Sequence, residues 1–396
     1  MTQMSGRAEP TGTEGSGSEG GARLKRRAVL AATGVALCGV PWIVARSQTQ
    51  PLRIGATFDN SGVEKGIGQS LNQGAMAYFN AVNKAGGIHG RQIEVVTADD
   101  QFNPEKARDN ALKFASDASV LALVHPQGTR QTAEIMKAVK NLPIIGPNTG
   151  TTALHKSGAS NVFWVRTNYD LEVERLVRLA DSLGLKRFAL AYPNDPFGQA
   201  VLTSFRASLA SRGIEAVGVA STPSTASLEV EAAAKQLAGM QAQVLIMSLA
   251  GTMPALHKAY RAAGGSAICL GLSVGGSAAN IAQVAKSADK PIFSVIVPSP
   301  SAQKFELVRA YQRDMLASGF DGKSLVSMEG YVDARVLAEG LRRAGPKADR
   351  DSLIAGLESM TDFDLGGMRM RYGKGNREGN TYTDIVSVDE EGRLKS

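Results

Sequence analysis

From Leu52 onward, short apolar runs alternate with longer stretches whose apolar positions return every three to four residues, the signatures of strands and of amphipathic helices. Pro51 to Thr57 reads as a first strand. Ala75, Ala77, Tyr78, Phe79 and Val82 follow a helical period and predict a helix over Gln69 to Lys84. A strand over Arg91 to Ala98, a helix over Pro104 to Asp117 opened by Asn103, and a wholly apolar strand over Val120 to Val124 follow. A helix from Thr129 to Lys140 and a strand from Leu142 to Gly146 close this first series.

The alternation restarts after Val162 to Val165. Strands are predicted at Arg187 to Tyr192, Glu215 to Ala220, Val244 to Ser248, Ile268 to Leu272 and Ile292 to Val297. Between and around them lie helices over Glu172 to Leu183, Phe197 to Arg212, Leu228 to Leu237, Met253 to Ala263 and Ala278 to Ala285. Past Pro298-Ser299-Pro300 come helices over Gln303 to Ala317 and Ser327 to Ala344, then short strands near Met368 to Tyr372 and Asp384 to Val388. Two β-α series with short links predict an α/β protein with two doubly wound, mainly parallel sheets.

Composition narrows the function classes. The chain has 396 residues, 43% hydrophobic and 20% charged, a globular balance. Its two cysteines, Cys38 and Cys269, and four scattered histidines build neither a disulfide framework nor a metal site. Cys269 falls in an apolar strand, where burial is expected. Residues 1–23 are rich in Gly, Ser, Thr and Glu and lead into Arg26-Arg27 and an apolar run from Ala28 to Ala45. This arrangement predicts a signal peptide over residues 1–47, of the twin-arginine type, and hence export. Removing it leaves 38 basic against 34 acidic residues, a net charge of +4. So small and dispersed an excess speaks against nucleic acid as a partner.

The motifs that could carry catalysis lack their partners. Gly271-Leu272-Ser273-Val274-Gly275 fits a nucleophile elbow, yet His89, His125, His155 and His257 all precede Ser273, whereas that hydrolase fold needs a histidine after it. Ser301-Ala302-Gln303-Lys304 matches S-x-x-K without the companion motifs, and reads as a helix cap. Neither a dinucleotide fingerprint nor a phosphate loop occurs, so no cofactor is expected. Asp99-Asp100 suits loop and capping roles, and His125 could line a cleft or be a structural histidine.

What remains is a set of strand-end loops rich in Gly, Ser, Thr and Asn. In parallel sheets, ligands sit beyond the carboxyl ends of the strands, where helix N-termini offer free N–H groups. The first series contributes Asn60, Gln127, Gly128, Thr129, Asn148, Thr149 and Gly150 as candidate ligand-binding residues. The second contributes Asp195, Phe197, Gly251, Thr252 and Ser273.

Several stretches taken together are more specific. Asn83-Lys84-Ala85-Gly86-Gly87-Ile88-His89-Gly90-Arg91, with Asp99-Asp100 and Pro104, resembles the N-terminal signature of the branched-chain amino-acid type of periplasmic solute-binding protein, the receptors of ABC importers. The likeness continues through Gly128-Thr129, Pro147-Asn148-Thr149-Gly150, Phe163-Trp164-Val165-Arg166, Asp195-Pro196-Phe197-Gly198 and Glu329-Gly330-Tyr331 with Ala334-Arg335, in order along nearly the whole mature chain.

The resemblance implies a type I periplasmic binding protein, two α/β lobes joined by three hinge crossings near residues 164–169, 297–301 and 361–367. Lobe 1 would comprise residues 48–165 and 300–362, and lobe 2 residues 166–299 and 363–396. It implies a monomer in the periplasm that closes on a small carboxylate-bearing solute and delivers it to membrane permease subunits. By motif position the carboxylate would be held by Gly128, Thr129, Asn148 and Gly150, with Phe197 as a lid over an apolar part of the ligand. Amino-acid binders of this type hold the ammonium with an acid where this chain has Gly271-Leu272-Ser273-Val274. Either Asp195, Asp59 or Glu329 substitutes, or the ligand lacks an amine. An exported sensor of the same fold, and a serine hydrolase acting through Ser273, are the competing expectations.

Overall fold

The computed structural model describes residues 50–396; the signal-peptide expectation falls on residues outside them. The first sheet has strands β1 (Leu52–Phe58), β2 (Ile93–Asp99), β3 (Val120–Val124), β4 (Ile144–Ile145) and β5 (Val162–Phe163), all parallel, in the order β2-β1-β3-β4-β5. The second is built on β6 (Phe188–Pro193), β7 (Gly218–Thr222), β8 (Val244–Met247), β9 (Ile268–Gly271) and β10 (Ile292–Val295), parallel in the order β10-β9-β8-β6-β7. A short hairpin, β11 (Phe363–Asp364) and β12 (Arg369–Met370), stands apart. The last strands, β13 (Asp384–Val388) and β14 (Leu394–Lys395), extend the second sheet beyond β10 as antiparallel additions.

Helices α1 (Lys65–Lys84), α2 (Pro104–Ser116), α3 (Thr129–Ala138) and α4 (Thr152–His155) follow β1 to β4 in turn. The second sheet is flanked by α5 (Tyr169–Ser182), α6 (Pro196–Ala210), α7 (Glu231–Gly239), α8 (Met253–Ala262) and α9 (Ala278–Val284). The chain then supplies α10 (Glu306–Ala317), α11 (Leu325–Ala344) and α12 (Arg350–Glu358) before its final strands.

Side chains on a strand alternate between faces, and that alternation sorts the core. Leu52, Ile54, Ala56 and Phe58 of β1 pack with α1, α10, α11 and α12, while Leu123 and Ile144 pack under α2 and α3 on the opposite face. In the second sheet Ala189, Leu245, Cys269 and Phe293 face α7 and α8, and Phe188, Leu190, Val244 and Ile246 face α5 and α6. Cys269 is 1% exposed, as its strand pattern predicts.

Several details depart from the pattern, among them α4, β14 and the strand expected at Glu215 to Ala220, which is Gly218–Thr222. Helix α1 begins at Lys65, four residues before the predicted start at Gln69, and buries Ile67 two turns and Leu71 one turn ahead of Ala75. Helix α12 was not visible in the periodicity. Ser301 is exposed and lies five residues ahead of α10, so it caps no helix. Leu365, Met368, Met370 and Tyr372 pack in the first core whereas Tyr382 and Val386 pack in the second, so the third crossing lies beyond Tyr372 and not near 361–367. Ahead of Arg166, the Trp164 N–H donates to the Arg377 carbonyl at 2.8 Å, tying that stretch to the segment that follows Tyr372. Among the described residues no helix is long and apolar enough to cross a membrane, and no group of His, Cys, Asp and Glu is placed to hold a metal ion.

Candidate functional site

The carboxyl ends of the two sheets face each other, and the lobes touch. Ile67 and Leu71 of α1 and Val326 of α11 pack into the core of the second lobe. The Leu325 N–H donates to the Gly276 carbonyl at 3.1 Å. Between the lobes lies a cavity lined from the first by Glu64, Ile67, Phe102, Gln127, Gly128, Thr129 and Asn148, and from the second by Tyr169, Phe197, Thr225, Ala250 and Val274. An outer space adjoins it, walled by Phe102, Thr129, Arg130, Asp195, Phe197 and Thr225 among others.

Loop chemistry fixes the first-lobe wall. After β1 the Asp59 carboxylate accepts the backbone N–H groups of Ser61, Gly62 and Glu64 and folds the loop back on itself. Gln127 ties that loop to the end of β3: it accepts the Asp59 N–H at 3.0 Å and donates to the Glu64 carbonyl at 3.2 Å. Gly128, at φ 93°, precedes α3, and a Cβ there would stand 2.4 Å from Gln131 Oε1 and 2.8 Å from Phe102 Cε2. Only glycine tolerates both the left-handed backbone and the approach of Phe102. Asn148 pairs with Gln127 in a strand-like bridge, its N–H donating to the Pro126 carbonyl at 2.9 Å.

Thr129 is the first residue of α3, whose leading N–H groups have no acceptor within the helix. Its hydroxyl lies 2.7 Å from Thr149 Oγ1 and 3.1 Å from Thr151 Oγ1, which are themselves 3.1 Å apart. The helix terminus favours negative charge at that end of the cavity. Across it, Tyr169 and Phe197 meet with ring centroids 5.1 Å apart and form an aromatic wall.

The most unusual wall group is Glu64. It is fully buried, its Oε2 accepts the Gly251 N–H of the second lobe at 2.8 Å, and its Oε1 has no hydrogen-bond partner. Burial, with repulsion from Asp59 and Asp195, pushes its carboxyl up to about 8 despite the Gly251 bond.

Behind the cavity lies a second buried network. Arg166, in the first crossing, donates to Glu172 at 2.7 Å and to the Ser273 hydroxyl at 3.0 Å in the second lobe, and to Glu329 at 3.3 Å in the first. Glu329 also accepts from Asn148 at 3.1 Å. Burial pushes the Glu329 carboxyl up, against the pull of Arg166, and pushes that of Asp333 further, since neither Asp333 oxygen finds a donor.

The sequence candidates divide accordingly. Gln127, Gly128, Thr129, Asn148 and Phe197 line the cavity, and Asp195 lines only the outer space, where it caps α6 and accepts from the Thr225 N–H and hydroxyl. Thr149 and Gly150 stand behind the wall, Gly150 against Tyr169. Gly251 contributes a backbone N–H to Glu64 and is not a wall residue. Asn60 is exposed and bonded to Asp99, and Thr252 is buried and donates to the Thr225 carbonyl. Ser273 and Glu329 are consumed by Arg166, so neither reaches the cavity. Ser273 opens a short helical turn after β9, and its N–H donates to Glu172 at 2.9 Å.

Asp99 and Asp100 close loops by accepting backbone N–H groups, and His125 is sealed against Phe58 with both ring nitrogens unpartnered. The acid facing the cavity is therefore none of Asp59, Asp195 and Glu329. Glu64, Phe102, Tyr169 and Thr225 were missed. A Gly-Val-Glu sequence in a strand-end loop gave no sign of direction, and Tyr169 follows a crossing whose path the pattern does not encode.

A family model described as periplasmic binding protein matches residues 51–393. An amino acid binding protein of Pseudomonas aeruginosa is 26% identical over 167 residues, 41% of this chain and 45% of the relative; the chain spans about half the length of the curated relatives it matches. A substrate-binding periplasmic protein from Ralstonia solanacearum, 27% identical, superposes with a TM-score of 0.79 over 87% of this chain and 99% of its own. The fold recurs at 17% identity and TM-score 0.78 in a solute-binding protein of R. palustris crystallised with benzoate, covering 87% of this chain and 95% of that one.

Proposed function

The chain belongs to the periplasmic binding protein family, and on that premise we propose that it is exported and captures a small carboxylate-bearing solute between its lobes for delivery to an ABC permease. The observation that carries this reading is the polarity of the cavity. One end is the N-terminus of α3 with the Thr129 hydroxyl, and the rest of the wall is mostly apolar, from Ile67, Phe102, Phe197, Ala250 and Val274. A carboxylate accepts the free N–H groups at the first end, and a short apolar chain fills the remainder. The names of the relatives support the class: an amino acid and benzoate share only a carboxylate and an apolar portion. Nothing in the wall resembles a nucleophile with its base, which favours capture over turnover.

Titration calorimetry with a panel of amino acids and simple carboxylates tests the reading, together with Thr129→Val. Gly128, and not Thr129, occupies the capping position of α3, so the hydroxyl is dispensable to the helix. A hydrogen bond to a charged group contributes about 1.5–3 kcal/mol, so the variant is expected to lose about 10- to 100-fold in affinity with little loss of fold. Unchanged affinity would remove the anion end from its place beside Thr129.

A further inference from the structure

We propose that Glu64 receives a protonated amine of the solute, and that its ionisation on binding strengthens the bond it already accepts from the Gly251 N–H of the other lobe. The inference rests on the reading that a carboxylate-bearing solute occupies this cavity, and it deepens that reading by requiring a cationic nitrogen as well.

Three observations carry it. Among the residues lining the cavity Glu64 alone bears an ionisable acid, and its Oε1 is buried without a partner while Oε2 is fixed by the Gly251 N–H. A buried carboxyl with one oxygen unsatisfied needs a donor, and once ionised it needs a cation. The charged groups acting on Glu64 are Asp59 from its own loop and Asp195 from the start of α6, both negative, and the remaining titratable wall group is Tyr169. The potential at this end of the cavity is therefore negative, and no basic side chain lines the cavity to neutralise it. The α3 N-terminus supplies the opposite polarity elsewhere in the same wall, so the cavity matches a solute with both charges and an apolar body.

Closure and charge are linked through one group. Glu64 enters from the loop after β1, and Gly251 from the loop after β8. With the cavity empty the carboxyl is held neutral, its ionisation raised to about 8. When an ammonium enters at neutral pH, Glu64 gives its proton to solvent, the ammonium keeps its own, and the new carboxylate accepts from both the ammonium and the Gly251 N–H. Binding of such a solute releases a proton, so its affinity rises with pH, approaching tenfold per unit between about pH 6 and 8, and levels off above about 8. A solute without the amine shows no such rise.

The test titrates the full mature chain with leucine, valine and phenylalanine and with their deaminated counterparts 4-methylpentanoate, 3-methylbutanoate and 3-phenylpropanoate. Each is measured at pH 6, 7 and 8 in two buffers of different ionisation enthalpy. At least one amino acid is expected to bind ten- to a hundredfold more tightly than its counterpart, with proton release near pH 7. Glu64→Gln keeps an acceptor for Gly251 and is expected to abolish both the preference and the pH dependence. The pH series on the unaltered protein decides the matter even if that variant unfolds. Equal or better binding of the deaminated acids, or an amino-acid affinity independent of pH, overturns the role of Glu64 and leaves the carboxylate reading standing. Failure of every probe to bind a folded protein overturns the carboxylate reading and this inference with it.

Discussion

Arg166 shows how one side chain can hold several parts of this protein. It sits at zero side-chain exposure, within 2.7 Å of Glu172 and 3.3 Å of Glu329, which come from different lobes. One guanidinium faces two glutamates, with Asp333 close by, so the buried acids exceed the cation and the surplus is borne by protonated carboxyls. Removing one partner of such a group leaves buried charge uncompensated, a loss of about 3–5 kcal/mol. Arg166→Met is therefore expected to be destabilised by that order in urea unfolding. The sign with pH follows from the raised carboxyls. The folded Glu329 and Asp333 carboxyls are raised above their unfolded range, so their contribution is complete below that range and is lost as pH rises from it through the raised folded values. Without Arg166 that loss steepens, and the variant should be penalised more at pH 8 than at pH 5; an equal penalty at both would show that the acids do not depend on it.

At the scale of elements, α12 separates local from periodic signals. Only Leu353, Gly356 and Leu357 are buried along its nine residues, too few to declare a period. Its start, however, is written in Asp349 and Ser352: the Asp349 carboxylate accepts the Ser352 N–H at 2.8 Å, and the Asp349 N–H donates to the Ser352 hydroxyl at 2.9 Å. Such reciprocal capping satisfies two otherwise unpaired donors. Asp349→Ala is expected to cost about 1 kcal/mol, read as a lower urea midpoint with unchanged slope. Because Leu353 and Leu357 pack against Gly340 of α11 and no residue of α11 or α12 lines the cavity, solute affinity should not move; a large affinity change would mean that α12 feeds into the site.

For the whole molecule, the state with lobes in contact strands a carboxyl oxygen of Glu64 and keeps that acid out of water. Opening would hydrate Glu64 and release those costs, whereas a bound solute would satisfy them, so the balance between states follows the ligand. The three crossings are the natural pivots. Small-angle scattering is expected to show a smaller radius of gyration when a saturating solute is added. Superimposable curves for the free and saturated protein would mean that the lobes stay in contact throughout.

The fold was legible because it rests on periods that the chain displays locally. Wholly apolar Val120–Val124 could only be a strand covered on both faces, and the repeat of Ala75, Phe79 and Val82 could only pack one side of a helix. Gly128 and Thr129 were readable for a similar reason: a glycine ahead of a helix start is a local demand, and a parallel sheet places that start at its carboxyl edge. What the sequence left open was the direction of side chains in loops, which no period governs. Ser273 and Glu329 looked as available as Thr129, until Arg166, arriving from another segment, consumed both. Glu64 looked like an ordinary loop acid. It faces the cavity because Asp59 folds its loop, Gln127 pins its carbonyl and Gly251 of the opposite lobe binds its carboxyl. Those partners lie 5, 63 and 187 residues away, so only the assembled tertiary structure could decide which acid the cavity contains.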